Sequence, residues 1–370
     1  MLSTLLPQNS TEWERGIADA MTAEAVVDSA IEFIRGAKFT HPLPNMLPYL
    51  VWEFGLGELT PYVPNLYELI QEGVAWQRVR GTPLAIEKAL GWLGYAAALE
   101  EAPTSRNWWN AFQLIFTALS ANDSPTLAQL SGVTGLSAPA RSQFRRGVFE
   151  YDVRELVLGN SRLGGAMLGD DSGVPFGTVP GKWSFGRTHE VTHTLTEAEG
   201  SALDIWVPLP EGGALAWGEA DFYWGDADFY WGADGLAARA SALAGQVAAM
   251  PAHVALLDAA DAVIGYRRAR AVHPVSVDAQ GAYAVGGVRY APSASGSAVY
   301  VEAMTAFGDG AGDVAKIALA LGGTRAGSLP PGRLWLGPDD LIAPVLVAEA
   351  AVAFPIRPTV RERAKFLLRF

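Results

Sequence analysis

The sequence Arg80-Gly81-Thr82-Pro83, followed closely by Leu90-Gly91-Trp92-Leu93-Gly94-Tyr95, best indicates how the first part of this chain folds. Gly81 ends one helix, Thr82 is a good N-cap, and Pro83 stands at the first position of the next helix, where its missing N–H is no loss. Gly94 is placed to end that helix in a left-handed conformation. Apolar residues recur at helical spacing on both sides of the first motif: Leu66, Leu69, Ile70 and Val74 before it, and Ile86, Ala89, Leu90 and Leu93 after it. The pattern predicts a packed helix pair without a catalytic group.

The rest of the N-terminal third is also predicted to be mainly helical. Thr11 and Glu14 have the spacing of a capping box, which predicts a helix start. Apolar residues between Val26 and Ile34 predict a second helix that ends at Gly36. The segment from Trp108 to Phe116 is aromatic and short, which favours a strand. A further short helix is predicted over residues 137–146.

Beyond Gly159 glycines become frequent and the helical periodicity mostly disappears, so the C-terminal half is predicted to be mostly β. Gly286-Gly287 predicts the type I′ turn of a hairpin over residues 282–290. The other predicted elements are strands at 188–196, 202–207, 298–302 and 314–321 and a helix at 236–250. The fold class is therefore α+β and multidomain: an N-terminal helical region with a small strand element, then a mostly-β part. We place domains at residues 1–155, 156–270 and 271–370.

Composition excludes several classes of protein. A chain of 370 residues is long enough for two or three domains, and a hydrophobic content of 50% excludes a mostly disordered chain. The net charge of −12 leaves no basic footprint for nucleic acid. Without cysteine there are no disulfides, thiol nucleophiles or Cys-ligated metals. No signal-peptide pattern and no apolar run of about 18 residues occur, so we expect a soluble protein without a membrane span.

A heptapeptide repeat lies between Gly212 and Gly232, with one tryptophan in each copy: Trp217, Trp224 and Trp231. Two full copies after a degenerate one are too few for a solenoid. Two interpretations stay open. The repeat is either a hairpin or loop whose rings pack on the β domain, or an aromatic and acidic docking surface, since Trp and Tyr carry much of the energy of interfaces.

His189-Glu190-Val191-Thr192-His193 matches the H-E-x-x-H pattern of zinc peptidases. That chemistry needs both histidines one helical turn apart. The β-branched residues around the motif favour a strand, in which positions i and i+4 lie about 13 Å apart and cannot chelate one ion. The acidic turns at Asp170-Asp171 and in the repeat lack the spacing of a calcium loop. We therefore predict no catalytic residue, no metal and no cofactor.

The C-terminal segment from Val360 to Phe370 alternates between apolar and basic residues, which predicts a strand. Thr359 and Glu362 also have capping-box spacing, so a terminal helix stays open as an alternative. Arg361 and Arg363 belong to the basic face. That face either meets solvent or pairs with an acidic neighbour, which is the β domain itself or another subunit.

Three motifs together, Leu47-Pro48-Tyr49-Leu50-Val51-Trp52 and the two quoted first, resemble in order and spacing the tail protein I family of contractile-tailed bacteriophages. The likeness runs from about Leu5-Leu6-Pro7 to about Ser172. It implies a non-enzymatic wedge component of the baseplate, made in the host bacterial cytoplasm and located in the virion. It further implies co-assembly with a J-type baseplate protein near the sheath initiator, six wedges around a central hub, and a link to tail fibres.

The predicted helical stripes offer more apolar surface than a small helical unit needs for itself, so we predict that this region is an interface. The candidate interface residues are Leu66, Ile70, Val74, Arg80, Thr82, Pro83, Trp92, Trp217, Trp224, Trp231, Arg361 and Arg363. Two other functions are weighed against the structural one. A virion-associated receptor would stack carbohydrate on the repeat tryptophans, and a zinc peptidase would use the motif from His189 to His193.

Overall fold

A computed structural model describes residues 5–21, 24–39, 42–102, 109–159, 166–208, 235–327, 329–330 and 332–370. The chain divides into two compact units. The first contains residues 1–97 and 129–143, and the second contains residues 98–128 and 144–370. The domain boundaries after residues 155 and 270 stay a prediction.

The first unit is helical. Its helices are α1 (Glu12–Ala20), α2 (Glu24–Phe39), α3 (Leu47–Glu53), α4 (Leu66–Gln77), α5 (Pro83–Trp92) and most of α6 (Thr126–Ser137), with short 3-10 helices at Pro44–Met46 and Gly57–Leu59. The capping box at α1 is confirmed, because the Thr11 hydroxyl accepts from Glu14 N–H and the Glu14 carboxylate accepts from Thr11 N–H. Leu69, Ala89 and Leu90 are fully buried, so α4 and α5 both contribute to the core of this unit.

The second unit is mostly β. Its strands are β1 (Ala97–Glu101), β2 (Ala111–Phe116), β3 (Gln143–Phe149), β4 (Val174–Phe176), β5 (Val179–Thr194), β6 (Ala252–Leu257), β7 (Val263–Arg268), β8 (Ala271–Val277), β9 (Tyr283–Val285), β10 (Val288–Pro292), β11 (Ala298–Met304), β12 (Asp313–Leu321), β13 (Thr324–Arg325), β14 (Trp335–Leu336), β15 (Leu341–Ile342), β16 (Val345–Pro355) and β17 (Val360–Arg369). Two helices, α7 (Glu197–Ala202) and α8 (Gly235–Ala249), and a short 3-10 helix at Pro338–Asp340 complete the described elements.

Most of these strands belong to two sheets. The larger sheet has ten strands in the order β1-β2-β3-β5-β17-β11-β8-β10-β9, with β4 paired to β5. The smaller sheet has five strands in the order β14-β7-β6-β12-β16, and β13 pairs separately with β15. β17 is parallel to β5 and antiparallel to β11, so the C-terminal strand lies inside the larger sheet.

One apolar core is shared by both sheets and by α8. It brings together buried side chains of the larger sheet, such as Val301 and Phe366, with Leu256 and Ile317 of the smaller one. Leu243 of α8 is also fully buried in this core. Since one face of each sheet points into the same core, their strands alternate between apolar core residues and residues on the opposite face.

The α+β class and most predicted elements are confirmed. Gly286 and Gly287 have φ angles of +59° and +78°, as the predicted type I′ turn requires. The aromatic strand is β2, which begins at Ala111, while Trp108 lies outside the described residues. The C-terminal segment is the strand β17, not the alternative helix.

Three local predictions are wrong. Residues 137–146 do not form a helix: α6 ends at Ser137, Pro139 follows, and β3 begins at Gln143. The strand predicted at 202–207 is absent: Ala202 ends α7, which starts at a capping box of Thr196 and Glu199, and the residues after it form a turn and an irregular segment. α2 continues past Gly36 to Phe39, since glycine lowers helix propensity by only about 1 kcal/mol and does not by itself end a helix.

Candidate interaction surface

The linker between α4 and α5 is fixed to the end of α6 within the first unit. Gly81 has a φ of +86°, and its N–H donates to the Ser137 carbonyl at 2.9 Å. Arg80 Nε donates to the Leu136 carbonyl at 2.9 Å, and its guanidinium lies 5.1 Å from the centre of a Trp76 ring. Carbonyls in the last turn of a helix lack partners inside the helix. The linker therefore supplies two of the donors that the end of α6 needs.

Thr82 stands at the N-cap position of α5, as predicted, but its side chain does not cap the helix. No hydrogen bond runs from the helix to its hydroxyl, which instead donates to the Val79 carbonyl at 2.7 Å. Pro83 begins α5. At the other end Gly94 adopts the predicted left-handed conformation with a φ of +76°. The positions of Pro83 and Gly94 were thus predicted correctly, whereas α4 ends at Gln77, before Gly81, and the Thr82 hydroxyl does not cap α5.

The apolar stripe predicted on α4 is partly buried within the first unit, so only part of it is accessible to a partner. Leu66, Ile70 and Val74 are half-buried, while the neighbouring Leu69 is fully buried. Trp76 is also buried, and its indole N–H donates to Ser137 Oγ at 3.0 Å. Trp92 is half-buried, with ring centres 6.1 Å from Trp76. These side chains contribute to the first unit itself.

The most exposed large apolar side chains of the first unit lie elsewhere. α1 has no buried residue, although Trp13, Ile17 and Met21 follow one another at helical spacing. α3 buries Leu47, Leu50 and Val51 but leaves Tyr49 74% and Trp52 84% exposed. We call the following exposed side chains the N-terminal apolar surface: Leu5, Trp13, Ile17, Met21, Val27, Ile31, Phe33, Ile34, Tyr49 and Trp52. These side chains lie before α1, on α1 and at its C-cap, and on α2 and α3, and large apolar patches on a surface mark sites of interaction, so we take them together as the candidate interface.

The sequence predicted an interface in this region, but the candidate residues did not include this surface, although a signal for it was present. The i, i+4 and i+8 spacing of Trp13, Ile17 and Met21 marks an apolar stripe on α1. Tyr49 and Trp52 are three residues apart, which places them on one face of α3. The sequence could not show whether other parts of the chain bury these faces. In the structure, the described residues leave them exposed.

Arg361 and Arg363 lie in the second unit, on the central strand β17. Arg363 Nε donates to Glu302 Oε1 at 2.9 Å, and its guanidinium lies 4.8 Å from the centre of the Tyr151 ring. Arg361 is only 9% exposed and lies over the Phe307 ring at 4.3 Å. The basic face of β17 thus meets an acidic and aromatic neighbourhood in its own unit. Whether either residue also contacts a partner stays a prediction.

The H-E-x-x-H motif lies on β5, as the strand prediction requires. His189 Nε2 lies 2.9 Å from Glu362 Oε2, and its ring stacks on Phe354 with centres 4.6 Å apart. His193 pairs instead with Glu199 at 2.8 Å. The motif glutamate, Glu190, accepts from Lys365 Nζ at 2.7 Å. Each member has a different partner, and no group of three His, Asp or Glu that could hold a metal ion occurs among the described residues.

Two of these carboxylates, Glu199 and Glu190, have lowered pKa values. Burial would raise the pKa of Glu199, but hydrogen bonds with His193, Thr196 and the Ala348 N–H lower it to about 2. Burial would also raise the pKa of Glu190, but hydrogen bonds from Lys365 and from the Gly286 N–H lower it. Both carboxylates are therefore held in the charged form that their structural partners require.

The tryptophan repeat, with Trp217, Trp224 and Trp231, lies outside the described residues, so both interpretations of it stay predictions. Within the described ranges, no helix is long and apolar enough to cross a membrane.

A comparison with protein families identifies the N-terminal part. Residues 6–141 match the family Phage tail protein (Tail_P2_I). The matched region includes α1 to α6 and the linker at Gly81. The family predicted from the three motifs is thus confirmed for this part of the chain. The match supports a structural role in a phage tail, assembly with other tail proteins and a place in the virion, and it favours a non-enzymatic protein. No curated protein matches the chain.

Proposed function

We propose that this chain is a wedge component of the baseplate of a contractile phage tail and that it assembles through the N-terminal apolar surface. The observation that carries the proposal is the exposure of this surface, all of which except Leu5 lies inside the region that matches the tail protein family. A helix such as α1, with no buried residue, gains stability when a partner covers its apolar stripe. The exposed aromatic side chains of α3 are of the type that dominates binding energy at interfaces.

The partner that the family resemblance implies is a J-type baseplate protein, with the sheath initiator nearby and six wedges around a hub. In this arrangement the first unit joins the wedge, and the second unit supplies the link towards a tail fibre. Leu66, Ile70, Val74, Arg80, Thr82, Pro83 and Trp92 remain interface candidates beside the exposed set. The chain would be made in the host cytoplasm and function in the virion.

The test uses the full chain with Tyr49→Ser and Trp52→Ser together, co-expressed with the J-type protein encoded in the same phage genome. Both residues are mostly exposed, so the fold should persist while co-purification of the partner is lost. The matched control is Trp109→Ser, since Trp109 is 62% exposed but belongs to the second unit. Unchanged co-purification by the double variant, with the partner bound by the parent chain, would exclude this surface.

A further inference from the structure

A groove of about 690 Å³ opens at one end of the five-stranded sheet. It lies where β6 begins and β7 ends, and it is walled by the last residues of α8 and by the segment from Gly322 to Arg325. Its volume falls in the range of about 300–1,000 Å³ that is usual for ligand-binding clefts. All of its lining residues belong to the second unit.

A buried histidine without a hydrogen-bond partner lies in this groove. His253 is 3% exposed, and neither of its ring nitrogens has a partner among the described residues. Burial together with nearby Arg268 and Arg325 lowers its pKa to about 4. Its ring is therefore neutral at pH 7, with one nitrogen able to donate and the other able to accept. Buried polar groups in native proteins are usually paired, so an unpaired one at a groove marks a place for a ligand atom.

Two arginines give the groove a positive charge. Arg268 is the antiparallel partner of His253 in the ladder of β6 and β7, which places both side chains on the same face of the sheet. Arg325 comes from β13, donates to the Pro330 carbonyl at 3.0 Å, and has a buried Nε without a described partner. Among the residues that the structure describes, no aspartate or glutamate lines the groove and no carboxylate pairs with either guanidinium. The groove is therefore positively charged, although the whole chain has a net charge of −12.

We propose that the groove binds a carboxylate group of an acidic peptide segment from another protein. Guanidinium groups form strong, charge-assisted hydrogen bonds with carboxylates, and the neutral His253 ring can donate a further one. The remaining wall is formed by small or apolar residues, such as Ala252, Ala269 and Val272, which suit the stem of a glutamate side chain. Among the described residues no Trp, Tyr or Phe lines the groove, which argues against a stacked sugar. The negative charge of the whole chain opposes a long polyanion such as nucleic acid.

The first experiment measures binding of a fluorescein-labelled peptide of glutamates to the full chain, by anisotropy. We expect saturable binding that weakens with salt, and no binding of the same peptide with glutamine in place of glutamate. Arg268 is exposed, so Arg268→Gln should leave the fold intact and weaken binding at least about tenfold. The matched control is Arg289→Gln, an equal change of charge at an exposed arginine on β10 of the other sheet, and it should change binding less than about twofold. No saturable binding by the parent chain, or equal losses in both variants, would overturn the proposal.

A second measurement tests the position of the peptide. A carboxylate in the groove stabilises the protonated form of His253, so its ring NMR signals should titrate at a higher pH with the peptide than without it. An unchanged titration of His253 at saturating peptide would place the peptide elsewhere and overturn the proposal. Inorganic phosphate and glucuronate serve as competitors. If either displaces the peptide at a concentration lower than that of the peptide, the groove binds a small anion and the proposal of a peptide ligand is overturned.

Discussion

Arg357 is a buried arginine of the second unit, and all three of its guanidinium nitrogens have hydrogen-bond partners. It is 7% exposed, its Nε donates to Asp123 Oδ1 at 2.9 Å, and its Nη1 donates to the Ser120 carbonyl at 2.6 Å. Thr359 Oγ1 donates to the same aspartate oxygen at 2.6 Å. The pair joins a loop near residue 120 to the start of β17, and no motif in the sequence connects these positions.

Arg357→Met removes the positive charge but keeps much of the side-chain volume. We expect it to destabilise the second unit by about 3–5 kcal/mol, because the buried Asp123 then lacks its counter-charge. Urea denaturation of the full chain, followed by circular dichroism, measures the change. As a control, Arg333→Met affects an exposed arginine that lies 4.0 Å from Asp340, and it should cost less than about 1 kcal/mol. A similar small loss for both variants would contradict the prediction.

Glu199 predicts how stability responds to acid. Its pKa is about 2 in the folded chain, below the ordinary value of 4.5, chiefly because hydrogen bonds with His193 and Thr196 outweigh the effect of burial. A lowered folded pKa gives stability that is fully present above about pH 4.5 and is lost as the pH falls towards 2. The difference in unfolding free energy between the parent and Glu199→Gln should therefore be largest above pH 4.5 and shrink towards pH 2.

The control for this titration is Glu349→Gln, since Glu349 is exposed on β16. Its difference from the parent should be small at every pH. If the difference for Glu199→Gln stays constant across the acid range, the hydrogen bonds of Glu199 do not stabilise its charged form.

The starts of α4 and α5 differ in how they are capped. The Asn65 side chain accepts from Tyr67 N–H at 3.1 Å, whereas the Thr82 hydroxyl accepts nothing from α5. Asn65→Ala should thus cost about 1 kcal/mol, and Thr82→Ala should cost less than about 0.5 kcal/mol. Thermal unfolding of the full chain compares the two. A larger loss for Thr82→Ala would mean that its hydroxyl caps α5 in solution, as the sequence pattern alone predicts.

β17 is the element on which the larger sheet depends, because it lies between β5 and β11. Phe366 and Leu368 are fully buried in the core that both sheets share. Deleting residues 359–370 should leave the second unit without a cooperative unfolding transition, since both neighbouring strands lose their hydrogen-bonding partner. Circular dichroism during heating provides the measurement. A folded deletion variant that fails only in salt-sensitive assembly would instead assign the basic face of β17 to docking.

At the scale of the whole molecule, the division into units determines how assembly can be tested. A fragment of residues 1–155 cuts the second unit, because residues 98–128 and 144–155 belong to it and β3 pairs with β5. Such a fragment would aggregate for a reason unrelated to the interface. Tests of the N-terminal apolar surface therefore need the full chain.

The isolated full chain should self-associate through this surface. Trp13 and Trp52 are 74% and 84% exposed, and burial of such rings is favourable in the absence of the natural partner. Trp13→Ser with Trp52→Ser should shift the chain to monomer, as measured by size-exclusion chromatography with light scattering, while Trp109→Ser should not. Added salt should strengthen or leave unchanged an association of this kind, because it is apolar. Dissociation by salt would indicate a charged contact instead.

The sequence by itself determined the features that depend on a few neighbouring residues. Gly94 and Gly286 adopt the positive φ angles that their positions predicted, because only glycine does so without steric cost. The capping box at Thr11 and the alternation along β17 were equally readable, since both patterns are local. Thr196 and Glu199 have the same spacing, so the start of α7 was equally predictable. The order and spacing of three such motifs also identified the tail protein family.

Only the tertiary structure decided which residues meet across long distances in the chain. Arg357 binds Asp123, which is 234 positions away in the sequence. Likewise, β17 pairs in parallel with β5, which is distant in the sequence. Gly132 of α6 lies against Tyr62, and a side chain at this position would clash with the Tyr62 hydroxyl. Packing also decides that Tyr49 and Trp52 are exposed. In the same way it brings His253 close to Arg268 and Arg325. Burial and long-range pairing depend on the whole set of contacts, which no short window of sequence contains.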